Sequence, residues 1–140
     1  MRRIKFRGKR VNTREWVYGL FCRHQIGSLI CPCIQIEHDR DTGDYIEYIE
    51  IDGDTLGQYI NLNDIHNVEI YEKDIVKIKN KPDKNVDYEH MQGIAEVHFD
   101  ESELTFKGIN HIKITKMLTW GGTESIEVIG NAIDNPILIP

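Results

Sequence analysis

Apolar residues in this chain recur at every second position, and a convincing 3.6-residue period is nearly absent. Successive side chains of an extended strand point to opposite faces, so this spacing commits the chain to β-structure with one face buried. Tyr45-Ile46-Glu47-Tyr48-Ile49-Glu50-Ile51, Asp74-Ile75-Val76-Lys77-Ile78 and Gly93-Ile94-Ala95-Glu96-Val97-His98-Phe99 all carry it. With 140 residues there is room for one domain, or for two small sub-domains sharing a core. A composition 40% hydrophobic and 29% charged belongs to a folded chain rather than a disordered one.

The strands can be placed in order. Ile4 and Phe6 begin one, Trp16–Phe21 make a second, and the polar link Gly8–Glu15 closes them as a hairpin. Leu29–Ile36 reads as a third, pushed towards an edge or a bulge by Pro32, which has no N–H to donate. A polar turn at Asp39–Asp44 leads into Tyr45–Ile51, with its acids expected on one face. Asp52-Gly53-Asp54 should break that pattern, and Thr55–Asn67 reads as irregular, with one helical turn at most. It is the expected hinge between sub-domains of about 1–66 and 67–140.

In the second half, an acidic turn at Glu72-Lys73-Asp74 opens a strand over Asp74–Lys79. After a long polar loop, Asn80–Met91, a strand runs over Gly93–Phe99 and returns over Leu104–Lys107. Ile112–Met117 and Ile126–Ile129 follow, separated by a turn at Gly121-Gly122. A strand, a charged loop and a glycine that opens the next strand are common in small SH3-like barrels. The expected fold is mainly β, with two small β sub-domains, the C-terminal one SH3-like, and little helix.

Charge is segregated. Residues 1–25 hold eight Lys or Arg against Glu15 alone, and residues 37–54 hold eight acids against Arg40. Opposed segments of +7 and −7 are a statement about association: they pair within a subunit, between subunits, or with separate partners. Self-pairing, including across an oligomer interface, is the first expectation, with another protein as a further partner. A nucleic-acid arm using Arg2, Arg3, Lys5, Arg7, Lys9 and Arg10 is the alternative. Phe6, Trp16, Tyr18 and Phe21 interleave with these cations, as in stacking surfaces for single strands. In alternating strands the same pattern arises when the aromatics are core and the cations surface, which is the expectation here.

Familiar chemistry finds little footing. Cys22-x-His24 and Cys31-x-Cys33 hold zinc-type donors, but a one-residue spacer within a strand merely puts two side chains on one face, unlike the wider turn spacing of structural zinc. Strand cysteines, reduced in a reducing compartment, are the expected reading. Asp39-x-Asp41-x-Gly43-Asp44, with Glu50 at the twelfth position, has Gly43 where a calcium loop needs a ligand. The six histidines are scattered, and neither a nucleophile elbow nor a phosphate-binding glycine loop occurs. The chain is expected to be non-enzymatic, without cofactor, metal or catalytic residues. No apolar run approaches the ~20 residues that span a bilayer, and no apolar stretch follows the basic N-terminus as in a signal peptide, so a cytoplasmic location is expected.

Ile70-Tyr71-Glu72-Lys73-Asp74-Ile75-Val76 and Ile126-Glu127-Val128-Ile129-Gly130-Asn131, with Asp134-Asn135-Pro136, resemble the YopX family of phage and prophage proteins. Ile4-Lys5-Phe6-Arg7-Gly8-Lys9-Arg10, Glu15-Trp16-Val17-Tyr18-Gly19 and Asp54-Thr55-Leu56-Gly57-Gln58-Tyr59 fit it too, in order, so residues 1–140 form one YopX-like domain. Two positions depart from the pattern. Lys73 stands where many relatives have glycine, implying a negative φ or a different turn, and Asn61–Asn67 replaces a more basic, glycine-containing loop. The resemblance implies a mainly β, homo-oligomeric protein of a phage-carrying bacterium, and it supplies no catalytic or binding residues.

Overall fold

The computed structural model describes residues 3–39, 41, 43–78, 93–100, 105–107 and 126–138. The described residues form strands and a short 3₁₀ turn at Pro136–Leu138, with no α-helix among them. The expected loop Asn80–Met91, the strand Ile112–Met117 and the turn Gly121-Gly122 lie outside the described residues. The chain divides into two compact units, Met1–Tyr59 and Ile60–Pro140, and the division falls inside a continuous strand.

The first unit contains β1 (Phe6–Arg10), β2 (Trp16–Ile26), β3 (Leu29–His38) and most of β4 (Tyr45–Asn63). Each pairs antiparallel with the next, and β4 returns to pair with β1, so the ladder closes on itself and leaves neither end strand as a bare edge. The β1–β2 link is shorter than expected, because Gly8, Lys9 and Arg10 are strand. Arg10 N–H donates to the Glu15 carbonyl at 2.9 Å and Arg14 N–H to the Arg10 carbonyl at 3.0 Å, with Arg14 at φ 60°.

Thr55–Asn67 is not irregular as its glycine and asparagines imply, since β4 runs through to Asn63, although the division between the two units does fall within it. The pattern breaks by a bulge instead. Arg7 faces Gly57 and Lys9 faces Asp52, so β4 spends five steps where β1 spends two. The Thr55 hydroxyl donates to the Asp52 carbonyl at 2.6 Å and accepts from Lys9 N–H at 2.8 Å, tying the excess chain back to β1. Pro32 lies on a central strand, yet from Leu29 to Pro32 that strand pairs only with β2. Strand β4 joins at Cys33, so the proline occupies a local edge.

Alternate residues turn inward, where Ile34, Ile49 and Ile51 are buried and the Phe6 and Phe21 rings lie 5.9 Å apart. Burial of each isoleucine contributes about 1.5–3 kcal/mol. Gly19 leaves room for a strand: a Cβ there would run into the Gln35 carbonyl oxygen. The acids of β4 do not share a face. Glu47 has the parity of Ile49 and bonds Arg10 and His38, whereas Glu50 lies opposite Cys33.

The second unit contains β5 (Glu69–Tyr71), β6 (Asp74–Ile78), β7 (Gly93–Glu96), β8 (His98–Asp100), β9 (Thr105–Lys107) and β10 (Ile126–Asn131). One sheet has the order β10-β6-β7, and β8 pairs with β9. Its core gathers Ile60, Ile70, Val76, Ala95, Val97 and Ile126. Gly93–Phe99 is two strands rather than one, because the Val97 peptide leaves the ladder. Its N–H donates to the Asp74 carbonyl at 2.9 Å and its carbonyl accepts from Lys73 N–H at 2.8 Å.

Lys73 takes φ 69°, which removes the negative angle, the first of the two alternatives its lysine implied. Besides the bond to Val97, the Lys73 carbonyl accepts Ala132 N–H at 2.7 Å, and the Asp74 carboxylate accepts Tyr71 N–H at 2.7 Å. Bonds on both sides of the peptide hold a left-handed conformation that an L residue otherwise avoids. Tyr71 and Asp74 are both buried, so this turn is structural.

Asp64 is the other polar anchor of this unit. Its buried carboxylate accepts the N–H groups of His66 at 2.8 Å, Val68 at 2.9 Å and Val128 at 2.9 Å. Burial opposes the charge, but the N–H groups of Val128, Val68 and His66, helped by the His66 charge, outweigh it. They hold the carboxyl below its ordinary range.

Candidate functional site

The outward face of the first unit can be built rung by rung from the strand register. Leu20, Gln35 and Tyr48 form one rung across β2, β3 and β4; Cys22, Cys33 and Glu50 form the next; His24 and Cys31 follow. On the β1 side, Arg7 lies opposite Tyr18 and Lys9 opposite Trp16. Residues opposed in register share a face, so β1 cations meet β2 rings. Arg7 lies 4.6 Å and Lys9 5.4 Å from the Trp16 ring centre, and Lys5 lies 5.7 Å from that of Tyr18. Each such contact contributes about 0.5–1 kcal/mol at an exposed site.

This corrects the expectation that the aromatics are core and the cations surface. Phe6 and Phe21 do turn inward, while Trp16 and Tyr18 stand beside the cations. The basic segment is not a continuous arm either. Arg3 is exposed, Arg7 is 6% exposed, and Arg10 reaches Glu47 at 3.5 Å; Arg2 lies outside the described residues. Arg14 bonds Asp52 at 3.0 Å, so part of the opposed charge pairs within the subunit. Such partly exposed pairs contribute at most about 1 kcal/mol.

The thiols sit at the centre of this face. Cys22, Cys31 and Cys33 are all free. Cys33 is 0% exposed although it points away from the core, and on the same face the His24 and Tyr48 rings stack with centres 3.9 Å apart. His24 belongs to the rung after Cys33 and Tyr48 to the rung before it, on either flanking strand, so the stack spans the strand that carries Cys33. Burial raises the Cys33 thiol above its ordinary pKa, reinforced by Cys22, Cys31 and Glu50 and opposed by the His24 backbone N–H. Burial also raises the Cys31 thiol, with the charge and hydrogen bond of Glu50 adding to it. Among the described residues no three His, Cys, Asp or Glu side chains are gathered to hold a metal ion.

Sequence spacing places Cys22 with His24 and Cys31 with Cys33 on common faces, which the structure shows. The direct opposition of Cys22 to Cys33 depends on the hairpin register. Its signal was Gly27-Ser28, a two-residue loop with glycine first, at φ 63°. Beyond the cysteine rung, a groove of about 290 Å³ runs between Lys5, Tyr18 and Leu20 on one side and Gln35 and Glu37 on the other.

The sequence matches the family described as YopX protein over residues 5–140. No curated protein matches it. Among solved structures, the crystal structure of protein EF1440 from Enterococcus faecalis is similar, with a TM-score of 0.59, 20% sequence identity and 98% of each chain covered. That likeness carries the fold over nearly the whole chain. With the strand order above and a family match from residue 5 to the last residue, the chain belongs to the YopX protein family.

Proposed function

We propose that this chain is a non-enzymatic interaction protein that works as a homo-oligomer, with copies meeting through the outward face of β1–β4. The observation that carries the reading is the character of that face. Tyr18 at 43%, Leu20 at 43% and Ile46 at 47% exposure stand on strands, where an outward residue is ordinarily polar. Lys5 and Glu37 flank the groove beside them. In a two-fold contact a patch meets its own copy, so a basic side and an acidic side cross and pair while the apolar centre is buried. A homo-oligomer in the cytoplasm of a phage-carrying bacterium is what the YopX resemblance implies, and that implication supports the reading. Light scattering on the full chain at low and high salt tests the reading, and a monomer under both conditions removes it.

A second reading rests on the alignment of Lys5, Arg7 and Lys9 with Trp16 and Tyr18 on one face, an arrangement that suits stacking bases and phosphates. Binding of a single-stranded oligonucleotide would weaken steeply with salt. A null gel shift at low salt ends it.

A further inference from the structure

We infer that Cys22 and Cys33 are a cross-strand dithiol that closes to an internal disulfide by exchange with a small-molecule disulfide. The register carries the argument. Cys22 and Cys33 are directly opposed on neighbouring antiparallel strands, with His24 opposite Cys31. Directly opposed residues have Cα atoms about 4.5 or 5.5 Å apart, depending on the ladder position. Both values fall within the roughly 4.4–6.8 Å that a disulfide spans. The diagonal pair Cys22 and Cys31 is about 7–8 Å apart, beyond that reach. Cys31 and Cys33, two steps along one extended strand, are about 6.8 Å apart, at its limit. One pairing is therefore favoured among three thiols.

Access fixes the order of events. Cys22 is part-exposed, whereas Cys33 is fully buried. The Cys22 thiolate attacks one sulfur of the small disulfide, forming a mixed disulfide and releasing one small thiol. Cys33 loses its proton, attacks the Cys22 sulfur, and releases the second small thiol as the internal bond forms. Two protein thiols are oxidised and one small disulfide is reduced to two thiols. Burial that raises the Cys33 thiol slows the second step relative to the first. Cys22 shares the outward face with Leu20, one rung away, so the exchange is that of the separated chain, and association through that face would shield it.

The test incubates the folded, reduced full chain with oxidised glutathione, unfolds it in acid-quenched denaturant, blocks remaining thiols with a maleimide, and weighs the intact protein. The expected product has lost two hydrogens and carries a single maleimide, on Cys31. Cys31→Ser keeps the internal bond. Cys22→Ser abolishes it, and because Cys22 is part-exposed that variant folds as judged by circular dichroism. Cys33→Ser stops at the glutathione adduct on Cys22. Three maleimides on the wild-type chain, a stable glutathione adduct without closure, or loss of the bond in Cys31→Ser overturns the inference.

Discussion

His24 and Tyr48 stack face to face, with ring centres 3.9 Å apart and planes 3° apart, across the strand that carries Cys33. The pair spans an outward position that is nonetheless 0% exposed, and we expect it to be the cover. Removing one ring therefore exposes sulfur rather than opening a cavity. His24→Ala should raise the rate of Cys33 alkylation in the folded chain roughly tenfold with little change in circular dichroism. An unchanged rate would mean that other side chains shield the thiol.

Asp64 spends its charge on three backbone N–H groups, so its contribution to stability follows its ionisation. The carboxyl is held below its ordinary range when folded. Stability is then fully present above the unfolded value of about 4 and is lost as pH falls through the folded one. Asp64→Asn should cost about 3 kcal/mol at neutral pH, because a buried amide cannot satisfy the same donors. Urea unfolding of both proteins across pH checks this: the gap should narrow below about pH 4, and a constant gap would refute the ionic account.

Lys73 is a lysine in a glycine's conformation. Lys73→Gly should stabilise the chain by about 0.5–1 kcal/mol, the relief of left-handed strain less the added freedom of the unfolded glycine. Lys73→Val should destabilise it, since a β-branched side chain suffers most there. Chemical denaturation of the two variants measures both signs, and the same sign for both would contradict the strain.

How far the sequence revealed this molecule depends on what each feature rests on. Period-two alternation is local, and it located β1 to β4, β6 and β10 because the buried face is written into the residues themselves. It did not predict that β4 runs through Asp52–Asn63, because the bulge there exists only through Thr55 and its partners on β1 and β4. Lys73 misled for the same reason: the bonds that hold its φ come from Val97 and Ala132, distant in sequence. At the candidate site, Trp16 and Tyr18 were visible as aromatics among cations, but only the register of β1 against β2 brings them onto the cations' face. The opposition of Cys22 and Cys33 was within reach, since the two-residue loop Gly27-Ser28 fixes it. The His24–Tyr48 stack was not, because it joins strands that do not pair with each other.

The account's central claim is that copies of this chain meet through the face bearing Tyr18, Leu20 and Ile46. The most direct measurement is the molar mass in solution by light scattering, for the wild type and for Leu20→Glu, each at low and high salt. Leu20 is 43% exposed, so the substitution leaves the core intact. The account predicts a wild-type mass that is a multiple of the 16.3 kDa chain and a shift of Leu20→Glu towards the single chain. A wild type that remains at 16.3 kDa in both salts, or a Leu20→Glu variant that assembles as the wild type does, would contradict it.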